Sequence, residues 1–165
     1  MVRVALGIGS NLDRRQHVQA AVDSLRARFG DVRLSPVYRS RARGFDGPDF
    51  YNLAALIDTD LPVDELQREL RAIEDNEGRT RNGARLASRT LDIDILLYGD
   101  AVLRDDGYNV PRDEILTCAF VLRPLVDLVP ATVHPETGNT LAEEWCRFGP
   151  GDDDSALWRE DWSPA

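Results

Sequence analysis

Four runs along the chain predict β-strands, and the most apolar of them are expected to be buried. The first covers residues 2–8, and the others lie in DVRLSPVYRS, FYNLAALIDT and SRTLDIDILLYGD. Short runs rich in Val, Ile, Leu and aromatic residues, bounded by turn residues, are typical of strands. Pro36 interrupts the second run, and because proline donates no ladder hydrogen bond we expect an edge or a bulge there.

Between these runs, apolar residues recur at helical spacing. One predicted helix ends at Gly30 and the next begins at Pro62. The segment RDEILTCAFVLRPLVDLVP predicts a helix broken near Pro124, and TGNTLAEEWCRF predicts a short last helix capped by Asn139 or Thr140. The core positions of the first two helices are Val18, Ala21, Val22, Leu25 and Phe29, then Val63, Leu66, Leu70 and Ile73.

The predicted order is β-α-β-β-α-β with extra elements after it. This is the plan of a ferredoxin-like α+β fold with a mostly antiparallel sheet. A hairpin turning at DDG is expected over residues 101–110. The length of 165 residues suits one domain, which we assign to residues 1–149. Residues 150–165 predict a loosely held acidic tail, with docking of Trp158 and Trp162 on the domain as the alternative.

Composition narrows the class of protein. No apolar segment approaches the roughly 18 residues of a membrane span, and the first residues lack the apolar region of an export signal. The two cysteines, Cys118 and Cys146, form neither a disulfide framework nor a metal-like cluster. We therefore expect a reduced cytoplasmic protein with no membrane partner.

The charged residues exclude several functions. A net charge of −9 argues against broad electrostatic binding of nucleic acid or of an anionic membrane. All 20 basic residues are arginine. A P-loop requires its lysine and a Schiff-base enzyme requires an amine, so both classes are excluded. A ferredoxin-like RNA-binding module is also disfavoured, because the chain lacks a basic aromatic platform.

Two carboxylates lie inside the fourth apolar run. Side chains alternate along a strand, so Asp92 and Asp94 share one face, with Cα atoms about 7 Å apart, and Leu91, Ile93 and Ile95 face the core. Like charges this close raise each other's pKa unless a cation lies between them. Mg²⁺ binds such carboxylates together with substrate phosphates, and two ions about 3.5–4 Å apart can clamp a transferring phosphoryl group. The alternative is an ordinary solvated strand face.

An arginine-rich loop leads directly into this strand. It has no hydrophobic periodicity, and within eleven residues it carries Arg79, Arg81, Arg85 and Arg89. Guanidinium groups bind phosphate oxygens in a forked geometry, which suits a polyphosphate whose other side is held by metal. Beside paired aspartates in an acidic protein, the loop favours an anion site and Mg²⁺-dependent phosphoryl transfer over a purely solvated loop.

The segment FDGPDFYN offers a second candidate site. It brings together Phe45, Phe50, Tyr51 and Asn52 at a loop–strand junction. Two interpretations stay open. The aromatic residues are ordinary core, or they form a flat slot in which a heterocycle stacks while the amide of Asn52 reads its edge.

Three other features carry weaker signals. GIGSNL lacks the third glycine of a dinucleotide fingerprint and predicts a tight strand-to-helix turn with Asn11 near the helix cap. His17 and His134 are predicted to be structural, because neither pairs with a cysteine nucleophile. Glu74 ends the second helix beside the arginine-rich loop, where it either orients an arginine or is exposed.

Seven motifs resemble those of a known enzyme family. They are ALGIGSNL, SPVYRS, GPDFYNLAALIDT, IEDNEGRTR, RTLDIDILLYGD, NVPR and AFVLRPLVDLVP. In this order they resemble the 6-hydroxymethyl-7,8-dihydropterin pyrophosphokinases of folate biosynthesis, from about residue 4 to about residue 145. The resemblance implies a three-layer α+β fold with helices on both faces of the sheet. It also implies transfer of pyrophosphate from ATP to the pterin hydroxymethyl oxygen, with two Mg²⁺ ions and release of AMP.

The resemblance also implies roles for individual residues. The catalytic set would be Asp92 and Asp94 as ligands of both Mg²⁺ ions, with Arg79 and Arg89 binding phosphate from a mobile loop. The nucleotide site would comprise Glu74, Ile95, Arg81, Arg85 and Arg112. The pterin site would comprise Phe50 and Phe120 as the two stacking faces, Asn52 as the amide, and the backbone of residues 41–45, which includes Phe45.

The chain departs from the family pattern near the phosphate site. The usual RWGPR is RLASR here, so Leu86 replaces the aromatic residue and the Gly-Pro pair is missing. Arg112 stands where histidine is common, and we expect it to meet a phosphate. Cys118 stands where a basic residue is common and lacks the charge for that role. The pterin loop, RARGFDG, is shorter than usual.

The leading hypothesis is a Mg²⁺-dependent pyrophosphokinase whose small-molecule substrates are ATP and a reduced pterin, acting as a monomer or weak dimer. No lysine or histidine base is required, since positioning and charge neutralisation supply most of the rate. One alternative is a divergent paralog that uses another pterin. Another is a non-catalytic pterin- or nucleotide-binding module.

Overall fold

The computed structural model describes residues 1–42, 44–78, 91–148 and 156–165. The strands are β1 Val2–Ser10, β2 Arg33–Leu34, β3 Tyr38–Ser40, β4 Phe50–Thr59, β5 Asp92–Tyr98 and β6 Leu157–Arg159. The helices are α1 Arg14–Phe29, α2 Val63–Asn76, α3 Glu114–Thr117, α4 Ala119–Leu128 and α5 Leu141–Phe148. Within the described residues the order up to β5 is β-α-β-β-β-α-β, which differs from the predicted β-α-β-β-α-β order because two short strands replace the second predicted strand.

The strands form one sheet, and every pairing between them is antiparallel. Its order is β5-β1-β4-β3-β6, with β2 also pairing with β4. The predicted strand around Pro36 is divided into β2 and β3 on either side of the proline, as expected for a residue that cannot donate to a ladder. The predicted α+β class with a mostly antiparallel sheet is confirmed.

Helices cover both faces of the sheet, which confirms the three-layer architecture. On one face, α1 and α2 pack over a first core that includes Ile8, Leu53 and Ile93. On the other, α3, α4 and α5 pack over a second core that includes Ala5, Ala54 and Leu96. Alternate residues of each strand enter opposite cores, as the pleat of a strand requires.

The strand with the two aspartates has a bulge near its end. Leu6 pairs with Ile95 but Ala5 pairs with Leu97, so Leu96 is the extra residue. As a result Leu96 and Leu97 both enter the second core. The simple alternation predicted for this strand holds up to Ile95, and the bulge lets the same strand present carboxylates at one end and a continuous apolar surface at the other.

The helix break expected near Pro124 lies elsewhere, and that prediction was wrong. Pro124 sits inside α4, and the break is at Cys118, whose backbone is extended with φ −125° and ψ 115°. A proline inside a helix removes one N–H from the ladder and crowds the carbonyl four residues earlier, but it need not end the helix. Burial of the neighbouring Leu122 and Leu125 against the sheet keeps α4 continuous across it.

The strand-to-helix turn predicted at GIGSNL is present with Asn11 near the helix cap, but it begins only after Ser10. β1 continues through Ser10, so Gly7 and Gly9 are strand residues. The N-cap of α1 is Asp13, and the Asn11 amide instead donates to the carbonyl of Pro48, 3.1 Å away. Glycine-rich sequence signalled a turn, but here the glycines leave one face of a paired strand without side chains.

The structure also tests the predicted hairpin and the predicted cap of the last helix. The hairpin over residues 101–110 is reduced to one antiparallel bridge between Leu103 and Val110. The last helix is capped by Thr140, whose hydroxyl accepts from the Glu143 amide at 3.1 Å while the Glu143 carboxylate accepts from the Thr140 amide at 3.1 Å. This reciprocal pair is a capping box and selects Thr140 over Asn139.

The last ten residues pack on the domain. β6 pairs with β3, and the ring of Trp162 stacks on Tyr51 with centroids 5.8 Å apart. The docking alternative is thus observed for residues 156–165, while residues 149–155 lie outside the described part of the chain. Among the described residues, none of the helices combines the length and apolar character needed to traverse a bilayer.

Candidate active site

The register of the adjacent strands β5, β1 and β4 places several of the predicted site residues on one face of the sheet. Gly9 pairs with Asp92 on one side and with Asn52 on the other, and Gly7 likewise lies between Asp94 and Ala54. These residues share the face that α3, α4 and α5 cover, since Ala54 belongs to the second core. We call this region, defined by Asp92, Asp94, Gly9 and Asn52, the site face.

Gly9 keeps the middle of the site face flat. A Cβ at this position would lie 3.6 Å from Asn52 Oδ1 and 4.0 Å from Phe50 Cδ1. Phe50 and Asn52 are two residues apart on β4, so both point to the same side as the aspartates. The predicted stacking residue, the amide and the acidic pair are therefore neighbours on one surface, separated by a strand position without a side chain.

Asp94 is electrostatically strained. Burial, followed by the charge of Asp92, raises the pKa of its carboxyl from 3.8 to about 7, while Arg112 opposes the rise. The Asp94 side chain is 28% exposed. A partly buried carboxylate beside another carboxylate favours the binding of a cation, because the cation offsets the repulsion between the two negative charges.

Arg112 lies directly against this pair. Its Nη1 is 3.6 Å from Asp94 Oδ1 and its Nε donates to Glu114 Oε2 at 3.0 Å. The backbone amide of Arg112 donates to the Leu96 carbonyl at 2.9 Å, which fixes the start of the side chain beside β5. The arginine predicted to bind nucleotide therefore reaches the acidic pair.

The donors at the acidic pair fit a magnesium ion that arrives with a nucleotide. Within the described residues, no cluster of three or more His, Cys, Asp or Glu side chains could hold a metal ion by itself. Mg²⁺ commonly takes one or two carboxylates and completes its octahedron with water and substrate phosphates. Asp92 and Asp94, on the same side of one strand, would be suited to supply those carboxylates.

The amide of the predicted slot is held in a fixed orientation. Asn52 is buried, and its Nδ2 donates to Ser40 Oγ at 2.8 Å. Ser40 is itself buried on the neighbouring strand β3. The orientation of the amide, and with it the donor and acceptor that it offers, is set by this serine, which sequence reasoning missed.

The other predicted stacking residues are partly buried. Phe45 lies in the loop before β4, and Phe120 lies in the first turn of α4. α4 is tied to the sheet by the Tyr38 hydroxyl, which donates to Asp127, and Asp127 also pairs with Arg123. Phe120 and Asp127 are seven residues apart and therefore share one side of the helix, the side that this clamp ties to the sheet.

Two predicted nucleotide contacts lie away from the site face. Ile95 is buried in the first core, on the opposite face from the aspartates. Glu74 is also buried, and its Oε2 accepts from the Ile93 amide at 2.8 Å. Of the two roles considered for Glu74, exposure is wrong, since its carboxylate caps an edge amide of β5. Their nucleotide roles stay predictions.

The arginine-rich loop lies outside the described residues, so its four members are named here without a position: Arg79, Arg81, Arg85 and Arg89. The two histidines are described. His17 Nδ1 is 3.0 Å from Glu77 Oε1, and His134 is buried with Nδ1 accepting from the Glu136 amide at 3.2 Å. Both lie off the site face and hold local structure, in agreement with their prediction.

Comparison with known proteins gives the same family as the motifs. The family model for 7,8-dihydro-6-hydroxymethylpterin-pyrophosphokinase matches residues 5–130. The chain belongs to this pyrophosphokinase family. The match includes both aspartates, Asn52, Arg112 and Phe120.

Curated relatives cover most of the chain. A Pseudomonas aeruginosa 2-amino-4-hydroxy-6-hydroxymethyldihydropteridine pyrophosphokinase is 43% identical over 146 residues, covering 86% of this chain and 88% of the relative. The Aquifex aeolicus protein of the same name is 34% identical over 145 residues, covering 87% of this chain and 90% of the relative. The similarity to these pyrophosphokinases therefore extends over most of the chain.

Solved structures support the fold. The chain superposes on a Plasmodium falciparum HPPK-DHPS crystal structure with a TM-score of 0.71 and 14% sequence identity. That match covers 89% of this chain and 44% of the longer Plasmodium chain. At this identity the likeness concerns the fold, and it agrees with the three layers described above.

Proposed function

We propose that this protein is a pyrophosphokinase that transfers the terminal pyrophosphoryl group of ATP to the hydroxymethyl oxygen of 6-hydroxymethyl-7,8-dihydropterin and releases AMP. The observation that carries the proposal is the juxtaposition on one face of a carboxylate pair and an oriented amide beside Phe50. Membership of the pyrophosphokinase family, with relatives of that name over most of the chain, supports the same reaction.

Asp92 and Asp94 would hold two Mg²⁺ ions together with the phosphates of ATP. Bound in this way, Mg²⁺ neutralises charge on the phosphate oxygens and stabilises charge that develops during transfer. The raised pKa of Asp94 shows that its surroundings disfavour an uncompensated second charge. The two carboxylates thus help to bind the nucleotide only in its metal complex.

The acceptor pterin would lie on the opposite side of Gly9. Phe50 and Phe120 supply its stacking faces, and the amide of Asn52, oriented by Ser40, reads the polar edge of the ring. Asp92 and Asn52 lie on the two strands that flank β1, so their Cα atoms are separated by two strand spacings, about 10 Å. A bicyclic ring that is bound at Asn52 can span this distance and bring its hydroxymethyl group to the phosphates.

Transfer on this face requires positioning more than proton chemistry. Neither histidine lies on the site face, and the chain has no lysine. Phosphoryl transfer proceeds through a loose transition state in which alignment and charge stabilisation supply most of the rate. The residues of the site face are suited to those two tasks.

The direct test is a coupled assay for AMP with ATP, Mg²⁺ and the reduced hydroxymethylpterin. We expect turnover by the native protein and a loss of at least about 100-fold in Asp94→Ala. Asp58→Ala is the matched control, because Asp58 is an exposed carboxylate on β4 that pairs with Arg3. A panel of other pterins separates this substrate from that of a divergent paralog. Nucleotide binding without AMP would favour a binding module and contradict the proposal.

A further inference from the structure

The guanidinium of Arg112 lies between Asp94, a member of the acidic pair, and Glu114. Arg112 reaches Asp94 through Nη1 at 3.6 Å and Glu114 through Nε at 3.0 Å. The Arg112 and Asp94 side chains are each 28% exposed, so the contact is partly shielded from water. A pair in such a position interacts more strongly than an exposed surface pair.

The backbone holds the arginine in this place. Its amide donates to Leu96 on β5, and its carbonyl accepts from the Ile115 amide at 3.1 Å in the first turn of α3. Glu114, also in that turn, binds the Nε edge of the guanidinium. Because both ends of the segment are fixed, the head group of Arg112 can shift its Nη atoms while Glu114 keeps hold of it.

The charged groups that act on Asp94 are mostly negative. Asp92, Glu114 and Glu74 all act on Asp94 as negative neighbours, and Arg112 opposes them. A divalent cation placed on Asp94 would relieve the carboxylates but would also lie close to the guanidinium. Two positive groups at such a distance repel each other unless further negative charge is present.

We propose that Arg112 is the built-in counter-ion of Asp94 and competes with divalent cations for that carboxylate, so that metal binds tightly only together with nucleotide phosphates. The phosphates supply the negative charge that the guanidinium loses when metal takes Asp94. The consequence is positive coupling between metal and nucleotide binding, which by linkage acts equally in both directions. This inference rests on the proposed metal site, but not on the identity of the acceptor.

The test is a titration of Mn²⁺ by electron paramagnetic resonance, without nucleotide and with a non-hydrolysable ATP analogue. Arg112→Gln should tighten Mn²⁺ binding in the absence of nucleotide by at least about five-fold and should reduce the gain from the analogue. Arg112→Lys keeps the charge and should remain near the native affinity. Arg28→Gln removes one positive charge from a surface pair with Glu69 and should change nothing.

The outcomes separate this inference from the proposed function. Unchanged or weaker Mn²⁺ binding in folded Arg112→Gln, or tightening in Arg112→Lys as well, would overturn the competition. Unchanged Mn²⁺ binding in Asp94→Asn would also overturn it, because the ion would then lie elsewhere. Failure of the native protein to form AMP, with tighter binding in Arg112→Gln, would contradict the proposed reaction and leave the competition supported.

Discussion

At the scale of single residues, the site is defined by carboxylates in unfavourable surroundings. The sequence was sufficient to place Asp92 and Asp94 on one face, because strand alternation depends only on position. It was not sufficient to find Ser40 or the clamp between Tyr38 and Asp127, since those contacts join strands and helices that are distant in the chain. Hydroxyl groups in a strand carry no pattern that reveals which partner they will meet.

The raised pKa of Asp94 predicts a pH-dependent effect on stability. A carboxyl whose pKa is higher in the folded than in the unfolded protein favours folding at low pH, and that contribution is lost as pH rises from 3.8 through about 7. Asp94→Asn removes this loss. In the metal-free protein, the stability of Asp94→Asn relative to the native chain should therefore increase by roughly 1–3 kcal/mol when the pH is raised from 5 to 8. Thermal unfolding with a chelator, at both pH values, measures the difference. If the difference in stability between Asp94→Asn and the native chain were the same at both pH values, the raised pKa of Asp94 would be contradicted.

Ser40 should affect pterin binding more than it affects the nucleotide. Ser40→Ala leaves the Asn52 amide without its orienting acceptor, and we expect the KM for the pterin to rise about 10-fold while the KM for ATP is unchanged. Ser35→Ala is the matched control. Ser35 is also buried, but its hydroxyl accepts from the Ala54 amide, away from the slot. Equal effects of the two variants on the pterin KM would show that Ser40 acts only through stability.

At the scale of elements, the main lesson comes from β1. Its two glycines resembled a turn in the sequence, yet they pair on both sides inside the sheet. A glycine signals either a bend or a close approach, and local sequence does not distinguish the two. The break in the helix between α3 and α4 was missed for a related reason. Proline was the strongest local signal, but the extended residue is Cys118.

Filling the gap at Gly9 should impair function without unfolding the protein. Valine has a high strand propensity, and its Cβ would make only ordinary contacts with Asn52 and Phe50. Its methyl groups would occupy the surface between the amide and Asp92, and we expect Gly9→Val to lower kcat/KM at least about 10-fold. Arg3→Val, on the same face at the exposed end of β1, is the control. Normal turnover by Gly9→Val would show that the substrates do not cross this strand.

At the scale of the whole molecule, the C-terminal segment completes the sheet. β6 covers the edge of β3, and Trp162 packs on the first core through Tyr51. The two layers of helices were predictable from the motifs, because each motif marks a strand or helix of the family. The docking of the last residues was left open by the sequence, since an acidic segment with two tryptophans fits a free tail as well as a docked one.

Removal of the docked ring should destabilise the domain. Trp162 contacts Tyr51 and lies 5.7 Å from the guanidinium of Arg15, so Trp162→Ala should lower the free energy of unfolding by about 2 kcal/mol. Trp158 is 36% exposed, and Trp158→Ala should cost less. Urea unfolding followed by circular dichroism compares the variants. A larger loss for Trp158 than for Trp162 would contradict the packing described.

A crystal structure with Mg²⁺ and a non-hydrolysable ATP analogue tests most directly whether the acidic pair binds the nucleotide through metal. We expect carboxylate oxygens of Asp92 and Asp94 about 2.1 Å from Mg²⁺, with phosphate oxygens of the analogue on the same ions. Carboxylates that contact only water, with the nucleotide phosphates bound elsewhere on the protein, would contradict the metal site and the reaction proposed from it.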